Sequence, residues 1–597
     1  MKRVVSLWVE LFALSWRRTP GVVAGNLAVL SLGVVATCGT AVALARAVDG
    51  MAGGNRTAAV VGAAAAAVCY AVSRMSALMS GTLRVVAVER VGFTDVNSEI
   101  YQDIGTLEGL EHLERTDFLD RVTTVSRSAW GITNSLWGAI GMLADTLQLV
   151  VLLCLLGTVS PWLLLLLPAA CLPLLANYRA QRLVTAAETE TAEDFRLQRH
   201  LFELATDAGA GKEIRVASAT AALAERQSAA WDRAMRARYR ARLRASAVKA
   251  AGWAVFTTGF GGGLGLVAWQ AAHGQGSSGD VVLTITVAAT LRQAVQQTLA
   301  RAGETLDGMR LVEPFLWLRA YAARDRARTR GTETGPGSLR EGIRLEQVTY
   351  TYPGTDGTAL DAVSCTLPAG AVVAVVGEYG SGKTTLVKLL AKFYRPDSGR
   401  ITVDGYDLAS LDTEAWRARI SAAFQDFGRF RTVFAETVGL GDLPHKDEPS
   451  RIAEAVAAAD AESVVDRLPE GLDTRLGREL GGVDLSEGEW QKTALARAAM
   501  RQGPLLFLLD EPTASLDAPS EEQIFQRYMD RARSLAARTG AVTVIVSHRF
   551  STVSGADLIL VLDRGRLAEQ GTHEELLALG GRYADLYGIQ ATAYTAS

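Results

Sequence analysis

Cysteine and histidine are scarce in this sequence, which limits the disulfides and metal centres that it can build. Five cysteines and six histidines are spread over 597 residues, with no CxxC pair and no cysteine–histidine cluster. Four of the cysteines lie in apolar stretches, where a thiol behaves as a small apolar side chain. A disulfide framework or a zinc site is therefore not expected. The five are Cys38, Cys69, Cys154, Cys171 and Cys365.

The sequence also lacks an excess of positive charge. Its 61 lysines and arginines are balanced by 64 aspartates and glutamates, which gives a formal net charge of -3. A protein that binds nucleic acid neutralises backbone phosphates and normally shows a strong basic excess. We therefore expect no nucleic-acid partner.

A cleavable secretion signal is not expected at the N-terminus. Residues 1–20 carry charge at both ends and Glu10 in the middle, whereas such a signal needs an uninterrupted apolar core. Apolar and aromatic residues such as Trp8, Leu11 and Trp16 alternate with polar ones. This pattern predicts an amphipathic helix lying on the inner membrane face. A disordered cytoplasmic tail is the alternative.

Long apolar runs, by contrast, crowd the first half of the chain. A membrane-spanning helix needs about 20 mostly apolar residues, because each residue rises about 1.5 Å and the hydrocarbon core is about 30 Å thick. Six runs meet this requirement, and they predict an all-α membrane domain over residues 21–320. The predicted spans are 21–46, 57–80, 135–157, 160–178, 250–272 and 280–300.

The connections between these spans are uneven in length. Those at 81–134 and 179–249 are long, helix-like in periodicity and rich in lysine and arginine. The positive-inside rule places these loops, and both chain termini, on the cytoplasmic side of a bacterial plasma membrane. Helical loops of this length would project tens of Å from the bilayer, where cytoplasmic partners can push on them. Independent cytoplasmic insertions are the alternative.

Two predicted spans carry a charged residue near their centre. Asp145 lies about halfway along 135–157, and Arg292 lies about halfway along 280–300. A charge at that depth costs on the order of 3 kcal/mol, so both residues need a polar environment. We expect them to face a polar cavity, paired with one another or with substrate. A structural ion pair or a snorkelling side chain is the alternative.

The second half of the chain contains a phosphate-binding loop. After a charged and then Gly-, Thr- and Pro-rich linker at 321–340, the apolar run VVAVVG at 372–377 predicts a buried strand. It leads into GEYGSGKT, which is the pattern GxxxxGK(S/T) in its required strand–loop–helix setting. The glycines let backbone N–H groups curl around the phosphates of ATP, and the helix N-terminus adds partial positive charge. The ATP-binding residues predicted here are Gly377, Glu378, Tyr379, Gly380, Ser381, Gly382, Lys383, Thr384 and Thr385.

Several side chains in and after this loop have predicted roles in hydrolysis. Lys383 should reach the β- and γ-phosphates, and the Thr384 hydroxyl should coordinate Mg²⁺. The apolar run LLFLLDEP ends in two acids, of which Asp510 should hold Mg²⁺ and Glu511 should act as the general base on water. A third apolar run, VTVIVSH, ends in His548, whose imidazole is placed to contact the γ-phosphate or to orient the water.

This ordered set of motifs resembles the ATP-binding-cassette (ABC) exporters over nearly the whole chain. Tyr352 resembles the aromatic residue that stacks on adenine, and Gln425 resembles the glutamine that links Mg²⁺ and the water to the membrane domain. LSEGE at 485–489 resembles the signature motif LSGGQ, and ASLD at 514–517 resembles the loop that crosses the dimer interface. His548 matches the switch histidine of the family.

The resemblance implies both a fold and a mechanism. The fold is a six-helix membrane domain joined to an α/β P-loop ATPase domain with a helical subdomain, here at 341–597. Two such domains meet head to tail, so Ser486 and Gly488 would meet ATP held by a second half-transporter, in a homodimer or a heterodimer. Glu487 and Glu489 stand where the family motif has glycine and glutamine. An extra carboxylate near triphosphate should weaken ATP binding unless it points away.

We therefore expect ATP-driven export of an amphipathic or apolar compound, such as a peptide product, a lipid or a drug. The order of the domains and the long loops resemble those of exporters. The segments 99–112 and 211–215 are expected to contact the ATPase domains and to convert their closure into opening of a cavity. The alternatives are an importer of siderophore-like chelates with the same architecture and a non-transporting ATPase that regulates another protein.

Overall fold

The structure is a computed structural model, and it describes residues 2–126, 128–273, 277–329, 331–511, 518–547 and 553–595. Its contacts divide the chain into two compact units. The first unit comprises Met1–Gln102 and Thr124–Trp317, and the second comprises Asp103–Thr123 and Leu318–Ser597. The sequence predicts that residues 103–123 belong to the membrane domain, whereas their contacts group them with the C-terminal unit.

Long α-helices follow one another through the first half of the chain. They are α1 (Lys2–Arg18), α2 (Pro20–Ala52), α3 (Arg56–Val91), α4 (Asn97–Gly105), α5 (Thr116–Ser126), α6 (Ala129–Val159), α7 (Leu166–Glu190), α8 (Ala192–Thr206), α9 (Ala208–Val216), α10 (Thr220–Ala272) and α11 (Ser278–Thr329). Alanine and leucine are frequent in them, and both have high helix propensity. Pro20 opens α2, where its missing N–H is harmless. The Asn55 side chain caps α3 by accepting a hydrogen bond from the Ala58 N–H (3.0 Å).

Four helical runs in the described part of the chain are long and apolar enough to cross a membrane. They are Pro20–Ala52, Arg56–Gly105, Ala129–Val159 and Thr220–Ala272, and they contain four of the six predicted spans. The other two predicted spans are helical as well. One runs from the 3₁₀ turn Pro161–Leu165 into α7, and the other lies within α11. The helical, membrane-type domain is therefore confirmed, and the number of spans stays a prediction.

α1 packs against the helices of the first unit along one face. Leu7, Leu11 and Ser15 are spaced four residues apart and are buried, which places them on one stripe of the helix. The Trp8 indole N–H donates a hydrogen bond to Ser135 Oγ in α6 (3.0 Å). The segment 1–20 is thus helical, and its location at the inner membrane face stays a prediction.

α11 continues beyond residue 320, where we had expected the membrane domain to end. It runs without a break to Thr329, so the first part of the predicted linker at 321–340 is helix. The residues AYAARDRART explain this, because alanine and arginine are strong helix formers. The end of the linker is held on the second unit, where the Leu339 N–H donates to the Thr539 carbonyl (2.8 Å).

The strands of the second unit form two sheets. They are β1 (Gly342–Thr351), β2 (Thr358–Pro368), β3 (Val372–Val376), β4 (Ser398–Val403), β5 (Tyr406–Asp407), β6 (Ile420–Ala423), β7 (Leu506–Asp510), β8 (Val542–Val546), β9 (Leu558–Asp563) and β10 (Arg566–Gly571). An antiparallel sheet has the order β2–β1–β4–β5, and a six-stranded sheet has the order β10–β9–β3–β8–β7–β6 with only β10 antiparallel. Every residue of β3, β7 and β8 is buried, as the apolar runs of a parallel sheet require. The predicted α/β domain is confirmed.

Helices accompany these sheets and include a small helical subdomain. They are α12 (Lys383–Leu390), α13 (Thr413–Arg417), α14 (Phe434–Gly439), α15 (Pro449–Ala458), α16 (Glu462–Val465), α17 (Glu487–Ala499), α18 (Ala518–Thr539), α19 (His573–Leu579) and α20 (Arg582–Thr595). α14, α15 and α17 contact one another. Phe434, Ile452 and Trp490, one from each of these helices, are buried in a common apolar cluster. This cluster holds the start of α17 in place.

α2 and α3 pack closely through small residues. A Cβ atom at Gly62 would lie 2.7 Å from the Ala47 backbone nitrogen, nearer than side chains normally approach. Ser80 Oγ also donates a hydrogen bond to the Asn26 side chain between the two helices (2.9 Å). Small residues allow helix backbones to approach this closely, and the resulting van der Waals contacts stabilise helix association in a membrane.

We expect Gly62→Ala to destabilise the protein by about 1–3 kcal/mol, because the added methyl group overlaps the backbone of α2. Gly261→Ala in α10 is the matched control, since nothing lies within 4 Å of its added methyl group and alanine favours helix over glycine. Thermal unfolding of the detergent-solubilised protein compares the two. Equal melting temperatures would contradict the packing argument.

Candidate nucleotide-binding site

The loop between β3 and α12 holds its backbone in conformations that favour glycine. The φ angle is +151° at Gly377, +77° at Gly380 and +100° at Gly382. A Cβ atom on Gly377 would lie 2.2 Å from the Leu562 carbonyl oxygen, and one on Gly382 would lie 2.6 Å from the Ala359 carbonyl oxygen. Larger residues are therefore excluded at both positions. A loop of this shape at a helix N-terminus directs backbone N–H groups towards an anion.

Lys383, the first residue of α12, directs its ammonium group into this loop. Its Nζ donates hydrogen bonds to the carbonyl oxygens of Gly377 (2.9 Å) and Glu378 (2.8 Å), and the residue is buried. Burial lowers the pKa of Lys383, while the charges of Glu511 and Asp510 raise it. Neutral carbonyls compensate a buried ammonium only in part, so a phosphate oxygen would be a stronger partner here.

Asp510 lies at the end of β7 with its carboxylate beside the start of α12. Burial raises its pKa to about 6 and the charge of Glu511 adds to this, whereas a hydrogen bond from Thr384 and the charge of Lys383 lower it. The Oδ1 atom is buried and has no hydrogen-bond partner among the described residues. A hydroxyl and a carboxylate with a vacant oxygen are the ligand types that Mg²⁺ prefers. These residues therefore fit a magnesium ion.

Glu511 follows Asp510 in a backbone conformation that glutamate rarely adopts. Its φ is +48°, in the left-handed region where a residue other than glycine costs on the order of 1–3 kcal/mol. Its N–H donates to the Val546 carbonyl oxygen (3.0 Å), which holds it against β8. Strain of this kind clusters at functional sites, because folding alone does not favour it.

The parallel strands bring these residues to one edge of the sheet. β8 pairs with β3 on one side and with β7 on the other, so its end lies between the phosphate-binding loop and Asp510. Gln425 lies two residues beyond β6, the other neighbour of β7, and is exposed. His548 and the loop at 514–517 fall outside the described residues, and their roles stay predictions.

Tyr352 lies beside the phosphate-binding loop. Its hydroxyl is 3.0 Å from Thr385 Oγ1, and its ring meets the rings of Tyr350 and Tyr394 edge-on, with centroids 5.2 and 5.5 Å apart. The Lys388 ammonium lies 5.7 Å from the centroid of the same ring. These contacts fix the residue next to the loop, and its stacking on adenine stays a prediction.

The signature motif begins α17, and its own side chains cap that helix. Ser486 Oγ accepts a hydrogen bond from the Glu489 N–H, and the Glu489 carboxylate accepts hydrogen bonds from the Ser486 N–H and hydroxyl (2.8 Å each). Arg467 forms an ion pair with Glu489 at 3.1 Å. Burial raises the pKa of Glu489, but the Ser486 hydrogen bonds and Arg467 together hold it below its usual value. The serine donors are thus already bound by an internal anion.

Glu487, the other departure from the family motif, is paired elsewhere. It forms an ion pair with Arg429 at 2.5 Å. Gly488 lies between the two glutamates in the first turn of α17, where backbone N–H groups have no partner within the helix. Of the two added carboxylates, Glu489 is therefore the one that accepts hydrogen bonds from Ser486, a residue predicted to bind triphosphate.

The comparisons with known proteins agree with this arrangement. The family model described as ABC transporter matches residues 360–514, which include the phosphate-binding loop, the signature motif and Asp510. The ATP-dependent lipid A-core flippase of Aromatoleum aromaticum is 37% identical over 321 residues, which are 53% of this chain and 51% of the flippase. The flippase of Ralstonia nicotianae is 42% identical over 253 residues, which are 42% of this chain and 41% of the flippase. The chain spans about half the length of the curated relatives that it matches.

A solved structure extends the similarity to nearly the whole chain. A bacterial Atm1-family ABC exporter with ATP bound is 27% identical, with a TM-score of 0.74 over 96% of this chain and 98% of the exporter. The chain therefore joins a P-loop ATPase domain to a helical domain of the membrane type. More specifically, residues 360–514 match the ABC transporter family, and the fused arrangement is similar to that of an ABC exporter.

The first unit contains a cavity of about 710 Å³ between α2, α3, α6 and α11. Asp145 lines it and forms an ion pair with Arg301 at 2.8 Å. The predicted pairing of Asp145 with Arg292 is wrong, because Arg292 is exposed and is not among the described residues that line the cavity. Asp145 and Arg292 lie about halfway along their predicted spans and so at similar depths in the membrane. The tilt and axial shift of the helices, however, decide which residues meet.

Two further arginines that line this cavity, Arg74 and Arg84, are not among the residues predicted from the sequence. Both lie on α3. Arg74 falls within the predicted span 57–80, so a charge inside an apolar run was the signal that would have identified it. Arg84 lies just beyond that span, and only the three-dimensional structure brings it to the cavity.

We expect Glu489→Gln to lower the ATP concentration needed for half-maximal hydrolysis by about fivefold, which corresponds to about 1 kcal/mol. The change removes the negative charge that occupies the Ser486 donors. Glu487→Gln is the control, because that carboxylate is paired with Arg429 and should have a smaller effect. Steady-state ATPase measurements on both variants give the ATP concentration for half-maximal hydrolysis. Equal effects of the two changes would argue against a special role for Glu489.

Proposed function

We propose that this chain is one half of a dimeric, ATP-driven exporter of an amphipathic or hydrophobic compound in a bacterial plasma membrane. The observation that carries the proposal is the sheet edge that gathers Lys383, Asp510 and Glu511 around a glycine loop, on the same chain as a helical domain with a polar cavity. The similarity to an ABC exporter over 96% of the chain supports the direction of transport.

Binding of ATP would replace weak contacts in the loop by strong ones. The Lys383 ammonium would exchange the two carbonyl oxygens that it now contacts for oxygens of the β- and γ-phosphates. Backbone N–H groups of the loop would surround the same phosphates, and Tyr352 would stack on adenine.

Thr384 and Asp510 would hold Mg²⁺, with Gln425 as a further ligand at the neighbouring strand end. Bound there, the ion neutralises charge on the β- and γ-phosphate oxygens. The chain contributes the placement of these groups, because the Thr384 hydroxyl is hydrogen-bonded to the Asp510 carboxylate.

Hydrolysis would use Glu511 as the general base. Its carboxylate would accept a proton from water while the water oxygen bonds to the γ-phosphorus and the bond to the ADP oxygen breaks. His548 would contact the γ-phosphate or orient the water. The strained backbone of Glu511 supports this role, because it directs a carboxylate from the end of a buried strand.

A second copy or a related half-transporter would complete each site. Ser486 and Gly488 at the start of α17 would meet the triphosphate held by the other half, so that ATP closes the dimer and hydrolysis opens it. The Glu489 contact would weaken the binding of triphosphate by the signature motif of this chain. A heterodimer with unequal sites fits this weakening, and an active homodimer is the alternative.

Residues 103–123 would transmit this closure to the membrane helices. Within the second unit, Glu108 accepts a hydrogen bond from the Thr413 hydroxyl (2.7 Å) and Arg417 donates to its carbonyl oxygen. The Tyr394 hydroxyl donates to Glu114, and the Tyr394 ring touches Tyr352. Tyr352 in turn contacts Thr385 of the phosphate-binding loop. This chain of contacts joins the segment to the nucleotide site.

The importer alternative is not favoured. The relatives are named as flippases, and the similar structure is an ABC exporter. The flippase names also make a lipid one candidate substrate, within the wider class of amphipathic compounds.

Lys383→Ala should weaken ATP binding by about tenfold to 100-fold, because a charged hydrogen-bond donor is lost. Glu511→Gln should retain binding and lower the rate of hydrolysis by about 100-fold or more, as expected for removal of a general base. Binding of a fluorescent ATP analogue and phosphate release, measured on protein in lipid vesicles with any partner half that it needs, test both.

Lys446→Ala is the control for the loss of a lysine, since this residue is exposed and pairs only with the exposed Asp447 among the described residues. Normal nucleotide binding by Lys383→Ala would reject the assigned site. Hydrolysis by Glu511→Gln at the wild-type rate would reject the assigned base.

Tyr394→Phe should reduce the stimulation of ATPase activity by transported compounds at least threefold, while ATPase activity without them changes less than twofold. The change removes the hydrogen bond to Glu114 but keeps the ring beside Tyr352. Tyr406→Phe, at an exposed tyrosine, is the control. Full stimulation in Tyr394→Phe would show that this hydrogen bond is not part of the coupling.

A further inference from the structure

The cavity of the first unit is polar and carries an imbalance of charge. Its described lining includes the three arginines Arg74, Arg84 and Arg301, but only one acidic residue, Asp145. Charged residues within membrane-spanning segments are costly and usually pair with each other or line a functional pathway. Each arginine therefore needs a partner or a ligand to offset its charge.

Two of the three arginines are paired within the protein. Arg301 contacts Asp145 at 2.8 Å. Arg84 contacts Glu304 at 2.5 Å, and its Nε donates to the Asn134 side-chain oxygen at 3.0 Å. These four charged groups cancel in pairs, so they contribute no net charge to the cavity.

Arg74 is different, because it has no ion pair with a carboxylate among the residues that the structure describes. It lies near the middle of the 36-residue helix α3, and its guanidinium group is 5.8 Å from the centroid of the Tyr70 ring. A neutral ring attracts a cation only weakly compared with a carboxylate or a phosphate. The cavity thus keeps one uncompensated positive charge, at a site exposed to a ligand.

The same cavity also has aliphatic side chains in its lining. Val29, Leu30 and Val34 line it from α2, and Ile285 lines it from α11. The same cavity therefore presents a guanidinium group and an apolar surface. Its volume of about 710 Å³ lies within the range of pockets that hold a drug-sized molecule.

We infer that this cavity binds an amphipathic anion, with a phosphate or carboxylate group on Arg74 and an alkyl chain against the aliphatic residues of α2 and α11. The inference rests on the proposed function and names the substrate class of that exporter. A cationic amphiphile would meet no free carboxylate, because the Asp145 side chain is only 9% exposed and is bound to Arg301.

The test compares probes that differ in net charge or in the presence of an alkyl chain. The full-length protein, with any partner half that it needs, is placed in phosphatidylcholine nanodiscs, whose lipids carry no net charge. The probes are oleoyl lysophosphatidylglycerol, which is anionic, oleoyl lysophosphatidylcholine, which is not, and glycerol phosphate, which has the charge without the chain. Binding in the absence of ATP and stimulation of ATP hydrolysis are both measured.

We expect the anionic lysolipid to bind at least tenfold more tightly than the neutral one, and glycerol phosphate to bind more weakly than either. Arg74→Gln should remove this preference, and Arg74→Lys should keep most of it. Arg182→Gln is the matched control, because Arg182 lies 5.2 Å from the Tyr178 ring centroid and is not part of the described cavity lining.

Three results would overturn the inference: equal binding of the two lysolipids, tight binding of glycerol phosphate alone, or an unchanged preference in Arg74→Gln. If the protein still hydrolyses ATP in a Lys383-dependent manner, such a result leaves the proposed exporter intact. Charge-selective binding without any ATP hydrolysis would instead support the cavity and reject the proposed function.

Discussion

The nucleotide site depends on charge that the protein alone compensates only in part. The Lys383 ammonium donates hydrogen bonds to two carbonyl oxygens, and one buried oxygen of the Asp510 carboxylate has no hydrogen-bond partner within the described part of the chain. Both groups stay in place because β3, β7 and β8 are buried at every position and fix the edge of the sheet. Triphosphate with a divalent cation would supply the two complementary charges at once.

The sheet edge was the part most open to prediction from the sequence. GEYGSGKT and LLFLLDEP each combine an apolar run with functional residues, so one pattern fixes both the local structure and the chemistry. The capping of α17 could also be predicted from the sequence, because Ser486 and Glu489 have the spacing of a capping box. Glu489 thus acts as a helix cap as well as an added charge, and this contact follows from the spacing.

Contacts between distant segments could not be predicted in the same way. The pairing of Asp145 with Arg301 depends on how α6 and α11 are shifted along each other. The hydrophobic pattern of each helix does not reveal this shift. The hydrogen bond from Thr413 to Glu108 joins residues that are far apart in sequence and carry no shared motif. The segment 99–112 was expected to contact an ATPase domain, and the identity of the contacting residues came only from the structure.

The backbone of Glu511 has a consequence for how this chain can change over generations. Glycine or asparagine would adopt a φ of +48° with less strain, so a lineage released from the need to split ATP would gain stability by losing the glutamate. The glutamate is therefore kept at a cost in folding stability, which the proposed role in hydrolysis would explain.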